Sequence, residues 1–355
     1  MRVLMIADDL TGALDSAAAL TGAGLRCVVA RRPEDVPAAL AEAPEVLAVS
    51  TASREGSEAG ARAAVARALA AVGPLPEIVF KKVDSRLKGH VAAEVAALAR
   101  AAGRGRALVA PAIPAQGRFV AEGALIGTGV PVPIDVAGRL AGSGLALDVP
   151  ETRDEAGLDA ALERALDGPP ALLVGAAGLA AALARRLAPG AWAVPAPELE
   201  APILLAIGSH DPITVAQVGR LAATGRVAMA TAPDGACPAP APEAARLVRL
   251  TPVEGRPFDP RAAGARFAEG IAGLARARGI RTLVGCGGET ADAVLGALGQ
   301  GVLTIEGEIL PGMPVSTLPL GGRRVKLVTK SGGFGDADAL VSIVGAAARP
   351  REGVR

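Results

Sequence analysis

Short, continuous apolar runs alternate with longer Ala- and Leu-rich stretches of helical period along most of the chain. The runs predict buried strands at 2–7 (RVLMIA), 25–30, 46–50, 77–80 and 106–110, with helices near 11–22, 34–43, 56–72 and 90–102 between them. Strands apolar on both faces, separated by helices, indicate a parallel sheet covered on both sides. Residues 118–134 (RFVAEGALIGTGVPVPI) break this rhythm: two β-like runs flank Gly127-Thr128-Gly129, which predicts a hairpin. A strand at 171–175 and a helix at 177–187 follow.

Residues 193–202 (AVPAPELEAP) are rich in proline and polar residues and predict a domain boundary, giving domains at 1–195 and 196–355. The alternation then restarts: strand 203–207, helix 212–223, strand 226–230, helix 260–278, strand 281–285, helix 289–298, strand 324–329 and helix 336–347. A second Pro-rich stretch, 233–242, reads as a long loop within the second domain. The expected fold class is α/β with two domains, each a mainly parallel sheet flanked by helices, and an active site in the interdomain cleft.

Composition narrows the function classes. The chain has 355 residues, enough for two domains. Lys+Arg number 37 and Asp+Glu 36, a net charge of +1, so no basic field points to nucleic acid or an anionic membrane. Mean hydropathy is high at +0.39. Even so, the longest uncharged stretch, 168–184, carries Pro-Pro and is shorter than the ~20 residues of a membrane helix. Cys27, Cys237 and Cys286 lack metal or CxxC spacing, which suits a reducing cytosol. The start, MRVLMIADD, puts acids where a signal peptide has its apolar core, so a cytoplasmic location is expected.

In open α/β sheets ligands bind beyond the carboxyl ends of strands, so the residues after each strand matter most. Four strand ends in the first half carry polar clusters: Asp8-Asp9-Leu10-Thr11-Gly12, Thr51-Ala52-Ser53-Arg54-Glu55, KKVDSRLKGH from Lys81, and PAIPAQGR ending at Arg118. Arg54 or Arg86 suits a carboxylate ligand through its planar fork. Asp8 or Asp9 could hold hydroxyls, orient a metal or act as general base, and could equally cap the helix that starts near Thr11. Lys81 and Lys88 also fit plain loop charges.

Three strand ends in the second half carry glycine turns that lead into helices: Gly208-Ser209-His210-Asp211, Gly287-Gly288-Glu289-Thr290 and Ser331-Gly332-Gly333-Phe334-Gly335. Glycines let backbone approach a ligand, and N–H groups at helix starts favour anions, so three such turns suggest a polyphosphate. There is no GxxxxGK[ST], no GxGxxG between strand and helix, and no GxSxG elbow. Cys286 reads as a packing residue, and neither His90 nor His210 has metal-ligand spacing.

The motifs IADDLTGALD, KKVDSRLKGH, PAIPAQGR with its hairpin, GSHDPIT, GGETAD and TKSGGFGDADAL occur in that order across nearly the whole chain. In this the chain resembles the four-carbon acid sugar kinase family, which acts on tetronates such as D-threonate, D-erythronate and 3-oxo-tetronate. The KKVDSRLKG form is similar to the threonate-kinase branch. The resemblance implies a sugar-acid domain followed by a nucleotide domain, and ATP-dependent transfer to the C4 hydroxyl with Mg²⁺. By motif it implies an acid site of Asp8 or Asp9, Arg54, Lys81, Lys82, Asp84, Ser85 and Arg86. For ATP it implies Ser209, Gly287, Gly288, Glu289, Thr290, Ser331, Gly332, Gly333 and Gly335. The chain departs from the family in its shorter length, in His210-Asp211 where a second small hydroxyl residue is expected, and in Ser50-Thr51-Ala52-Ser53, which lacks an acid.

The expected mechanism has Arg54 and Arg86 clamping the substrate carboxylate and Lys82 stabilising the transferred group. Asp8 or Asp9 orients or deprotonates the hydroxyl, and the other reaches Mg²⁺ through water. A sugar-acid substrate and ATP are the expected partners, with no nucleic acid or membrane; a homodimer is among the assemblies allowed. The competing readings are a 3-oxo-tetronate kinase, a hydroxy-acid dehydrogenase or lyase, and a non-catalytic sensor.

Overall fold

The strands expected at 2–7, 25–30 and 46–50 form over Val3–Ala7, Cys27–Ala30 and Val46–Ser50, and every residue in them is buried, as expected of strands covered on both faces. The computed structural model describes residues 1–190, 196–238 and 245–348. Parts of the expected boundary (193–195) and of the second Pro-rich stretch (239–242) lie outside the described residues. The chain divides into two compact units: unit 1 comprises residues 1–194 with 302–305, and unit 2 comprises 195–301 with 306–355. Among the described residues no helix is long and apolar enough to cross a membrane.

Unit 1 runs β1 (Val3–Ala7), α1 (Leu10–Gly22), β2 (Cys27–Ala30), α2 (Val36–Ala41), β3 (Val46–Ser50), α3 (Glu58–Val72), β4 (Ile78–Lys82), α4 (Val91–Ala101) and β5 (Arg106–Ala110). It continues with β6 (Arg118–Ala121), β7 (Ala124–Gly127), β8 (Val130–Asp135), α5 (Val136–Arg139), β9 (Ala146–Asp148), α6 (Glu155–Asp167), β10 (Leu172–Gly175) and α7 (Ala177–Leu187). The strands lie in the order β2-β3-β1-β4-β10-β5-β9, all neighbours parallel. β6, β7 and β8 form a separate antiparallel sheet, which contains the expected hairpin. Asp9 caps α1 by accepting from the Gly12 N–H at 2.9 Å, worth about 1 kcal/mol.

Unit 2 runs β11 (Ile203–Ile207), α8 (Pro212–Ala223), β12 (Ala228–Pro233), β13 (Ala245–Thr251), α9 (Pro260–Ala277), β14 (Thr282–Cys286) and α10 (Gly288–Leu298). β15 (Val302–Leu310), β16 (Met313–Leu320), β17 (Arg323–Lys330) and α11 (Ala339–Ala347) complete it. β12, β13, β11, β14 and β17 are parallel neighbours in that order, and β16 pairs antiparallel with β17. The first residues of β15 belong to unit 1, where Val302–Thr304 pair antiparallel with β2. The sequence pattern does not predict α5, β9, α6, β13, β15 or β16. In β15 the available signal was strict alternation, since buried and half-buried residues alternate from Val302 to Glu308.

Candidate active site

In unit 1 register brings three of the polar strand ends level. Ala7 of β1 pairs with Ser50 of β3 on one side and with Lys82 of β4 on the other. The residues that follow, Asp8-Asp9, Thr51–Arg54 and Val83–Arg86, therefore leave the sheet side by side. β1 is also where the strand order turns back, since β2 and β3 lie on one side of it and β4 on the other, the usual place for a ligand.

Arg54 organises this edge. Its Nε and Nη2 donate to the two oxygens of Asp8, each at 2.8 Å, and Nη1 donates to Asp9 Oδ2 at 2.8 Å. Asp84 Oδ2 lies 3.8 Å from Nη1. Burial would push the Asp8 carboxyl up, but the Arg54 bond and the charges of Lys81, Arg54 and Lys82 outweigh it and hold Asp8 below the usual carboxylate range. Two expectations change. A guanidinium with three of its five N–H groups on Asp8 and Asp9, and Asp84 close by, is already neutralised by the protein and is a weaker seat for a substrate carboxylate, and Asp8, doubly bonded and acidified, makes a poor base. Asp9 is similarly committed, with Oδ1 on the helix cap and Oδ2 on Arg54.

Neighbouring strand residues face opposite sides, which separates the two lysines. Lys81 is 0% exposed and pairs with Glu94 of α4 at 2.7 Å, with further bonds to the Lys82 and Ile6 carbonyls. Expected among the substrate contacts, Lys81 is instead sealed in the interior. Glu94 also accepts from Ser53 Oγ, which bonds Thr51 Oγ1 at 2.7 Å, and Thr51 donates to the Ala7 carbonyl at 2.9 Å. This chain of bonds, with Ala52 at a left-handed φ of 49°, fixes the turn that delivers Arg54.

Lys82 faces α1. A side chain at Gly12 would meet Lys82 Nζ at 2.8 Å and Asp9 Oδ1 at 2.7 Å, so glycine at 12 leaves the lysine its place. The hydrogen bond of Nζ goes to the Val83 carbonyl at 2.9 Å, and no carboxylate lies within ion-pair distance among the described residues.

Asp15, three residues beyond Gly12 on α1, was not singled out from sequence although it closes the IADDLTGALD motif. Burial pushes its carboxyl up, opposed by Lys82, the Ser16 hydrogen bond and Arg118 and aided by Asp9, which places it in the field of this cluster. One oxygen accepts from Ser16 Oγ at 2.9 Å. The signal was spacing: residues three and four apart share a helix face, and Thr11, Gly12 and Asp15 fit it.

Asp84 Oδ1 accepts from the Arg86 and Lys88 N–H groups, which fixes the turn after β4. The Arg86 side chain is exposed. Ser85 Oγ accepts from Arg118 Nη1, and Gln116 Oε1 accepts from Arg118 Nη2.

Unit 2 repeats the levelling. Ile207 of β11 pairs with Cys286 of β14, which pairs with Lys330 of β17, so the three glycine turns start together. They interlock: a side chain at Gly208 would strike Thr290, one at Gly332 would strike Ser209 Oγ, and Gly287 adopts a left-handed φ of 104°. No side chain caps α10, so the N–H groups of its first turn stay open. The carbonyls of the third turn are drawn inward. Lys330, 1% exposed, donates to those of Ser331 (3.1 Å) and Gly332 (3.0 Å). Thr214 donates to Gly332 and Gln217 to Phe334, Gly335 and Asp336. The Gly332 and Gly333 N–H groups make no hydrogen bond to the described protein. Ser209, Gly287–Thr290 and Ser331–Gly335 thus lie at level strand ends, with open N–H groups suited to phosphate. His210 is exposed and edge-on to Phe258. Burial pushes the Cys286 thiol up, in keeping with a packing role.

Sequence profiles of a sugar-binding N-terminal domain and a nucleotide-binding C-terminal domain match residues 3–139 and 241–340. A D-threonate kinase of Cupriavidus necator is 33% identical over 96% of this chain and 96% of its own. A 3-oxo-tetronate kinase of Methylobacterium radiotolerans is 31% identical over 94% of this chain and 96% of its own. A solved Haemophilus influenzae protein has the same fold, with a TM-score of 0.70 at 20% identity over 97% of this chain and 100% of that one. With matches of this length and identity, the chain belongs to the four-carbon acid sugar kinase family.

Proposed function

We propose that the protein is a cytoplasmic, ATP-dependent kinase that phosphorylates the C4 hydroxyl of a four-carbon sugar acid, with D-threonate the first substrate to test. The observation that carries this reading is the division of chemistry between two level sets of strand ends. Unit 1 gathers cations and carboxylates suited to a small hydroxy acid, and unit 2 gathers open glycine turns suited to a polyphosphate. In the reaction the O4–Pγ bond forms while the Pγ–O bond to ADP breaks, and the hydroxyl proton passes to a carboxylate. Such a transfer depends mainly on alignment and charge stabilisation.

Lys82, buried and free of a carboxylate partner, faces the transferring phosphoryl group. Asp15 takes the hydroxyl proton: Asp8 and Asp9 use both oxygens on protein donors, whereas Asp15 uses one, and its raised basicity suits a general base. Asp8, Asp9 and Asp84 act through Arg54, keeping the edge rigid. Ser85 and Arg86 stand beside the acid. In unit 2, Ser209 and the turns Gly287–Thr290 and Ser331–Gly335 hold the ATP phosphates.

Among the described residues no group of three or more His, Cys, Asp or Glu could hold a metal ion, but Mg²⁺ bound through nucleotide phosphates needs only one or two protein carboxylates. Asp211 fits: Oδ1 caps α8 by accepting from the Ile213 N–H, while Oδ2 sits beside Gly333. Mg²⁺ there would supply charge neutralisation on the phosphates.

The test is ADP release from ATP with a panel of four-carbon acids. Turnover of D-threonate, or of 3-oxo-tetronate as the name of a second set of relatives would have it, is expected. No turnover of any four-carbon acid would overturn the reading.

A further inference from the structure

The charges of unit 1 do not balance locally. Asp8, Asp9 and Asp84 all gather on Arg54. Arg118, at the start of β6, is 9% exposed and has no carboxylate within ion-pair distance among the described residues. Its two hydrogen bonds go to uncharged oxygens, Ser85 Oγ and Gln116 Oε1, and its Nε is buried with no partner. Three of the five guanidinium N–H groups are therefore uncommitted. The charges that act on it include another cation, Arg86, and the acids Asp84 and Asp15, neither of which bonds it. A buried guanidinium beside a like charge is costly unless an anion completes the site.

We infer that Arg118, assisted by the exposed Arg86, is the seat of the substrate carboxylate and sets the preference for an acid over a neutral polyol or amide. The inference rests on the reading of unit 1 as the acid site. Three features favour a carboxylate. A planar fork matches a planar anion. Ser85 and Gln116 hold the fork in one orientation, so little order is lost on binding. Ser85 follows Asp84, which lies 3.8 Å from Arg54, so the carboxylate seat is joined through the turn after β4 to the strand end that carries Lys82. Burial and the charge of Arg86 lower the Arg118 proton affinity, the expected sign for a cation lacking its counter-ion.

The experiment compares D-threonate with its C1 primary amide as phosphoryl acceptors, in wild type, Arg118→Gln and Arg118→Lys. Removing one partner of a buried, hydrogen-bonded charge pair predicts a fall in kcat/KM for the acid of about 30- to 1,000-fold in Arg118→Gln. The amide should change far less, and the KM for ATP should stay at the wild-type value. Arg118→Lys keeps the charge but not the fork, and is expected to lose part of the acid-to-amide preference. If Arg118→Gln does not fold, Arg118→Lys carries the test alone. An unchanged acid-to-amide ratio in the lysine variant, or an equal loss on both acceptors, would overturn the assignment of Arg118. Wild-type enzyme that phosphorylates no four-carbon acid would instead overturn the kinase reading on which it rests.

Discussion

Arg54 and Asp8 meet through two parallel N–H···O bonds of 2.8 Å, one from Nε and one from Nη2. They come from the ends of β3 and β1, and Asp8 is buried. The pair is the rivet between these strand ends. Removing one member leaves the other charged and unpaired, a loss of about 3–5 kcal/mol. Arg54→Met should therefore shift the urea unfolding midpoint of the protein markedly downward. Because Asp8 is held below the usual carboxylate range, its contribution is present above its unfolded pKa and is lost only as pH falls through the depressed folded value. Wild type should keep this contribution throughout the neutral and mildly acidic range, as a pH series of urea melts would register.

The second buried pair, Lys81–Glu94, makes a contrasting prediction. Lys81→Met alone strands Glu94 and should destabilise by about 3–5 kcal/mol, whereas Lys81→Met with Glu94→Leu should recover much of the loss. A direct substrate contact would behave differently, with the KM for the acid rising while stability held. Urea melts and steady-state kinetics on the same two variants separate these outcomes.

Lys82 is the reverse case, a cation whose partner is expected only during the reaction. Lys82→Met should lower kcat by roughly 100- to 1,000-fold, as for removal of one stabiliser of transition-state charge. Calorimetric binding of D-threonate should change little.

Asp15 carries opposed expectations for rate and stability. As the general base it must be ionised, so kcat should fall as pH drops through its raised pKa, and Asp15→Asn should be about 100- to 10,000-fold slower with that limb gone. The raised pKa also means that the folded state disfavours the charge: the stability it allows is complete below the unfolded pKa and is lost as pH rises through the folded one. At neutral pH Asp15→Asn should thus melt higher than wild type while turning over more slowly.

In the nucleotide turns the sensitive atom is a hydrogen. A methyl group at Gly208 would run into Thr290. Gly208→Ala should raise the KM for ATP by about tenfold or more, a loss of at least ~1.4 kcal/mol of binding, with D-threonate affinity in calorimetry unaltered.

Much of this arrangement was legible in the chain because it depends on local pattern. Apolar runs marked the parallel strands, and reading past each strand located Asp8, Arg54, Lys82 and the three glycine turns. What escaped depends on direction and pairing. Lys81 and Lys82 look equivalent in sequence, yet the strand's period of two sends Lys81 to Glu94 and Lys82 toward α1. Arg54 and Arg86 both looked available to a carboxylate, and Arg118 carried no such expectation. Only tertiary contacts reveal that Arg54 is surrounded by acids and that Arg118 has none bonded to it. Asp15 closes the IADDLTGALD motif, but its burial beside Lys82 comes from the packing of α1. β15 lacks a continuous apolar run because its burial alternates along the strand, and β16 lacks one because Pro314, Ser316, Thr317 and Pro319 interrupt it although nearly the whole strand is buried.

The central claim, ATP-dependent phosphorylation of the terminal hydroxyl of a four-carbon sugar acid, is tested most directly by proton-coupled ³¹P NMR of the product made from D-threonate and ATP-Mg²⁺. Transfer to O4 predicts one new phosphomonoester resonance split into a triplet by the two C4 protons, appearing in step with ADP. A doublet, which would place phosphate on a secondary carbon, or the absence of any ester with the four-carbon acid panel, would contradict it.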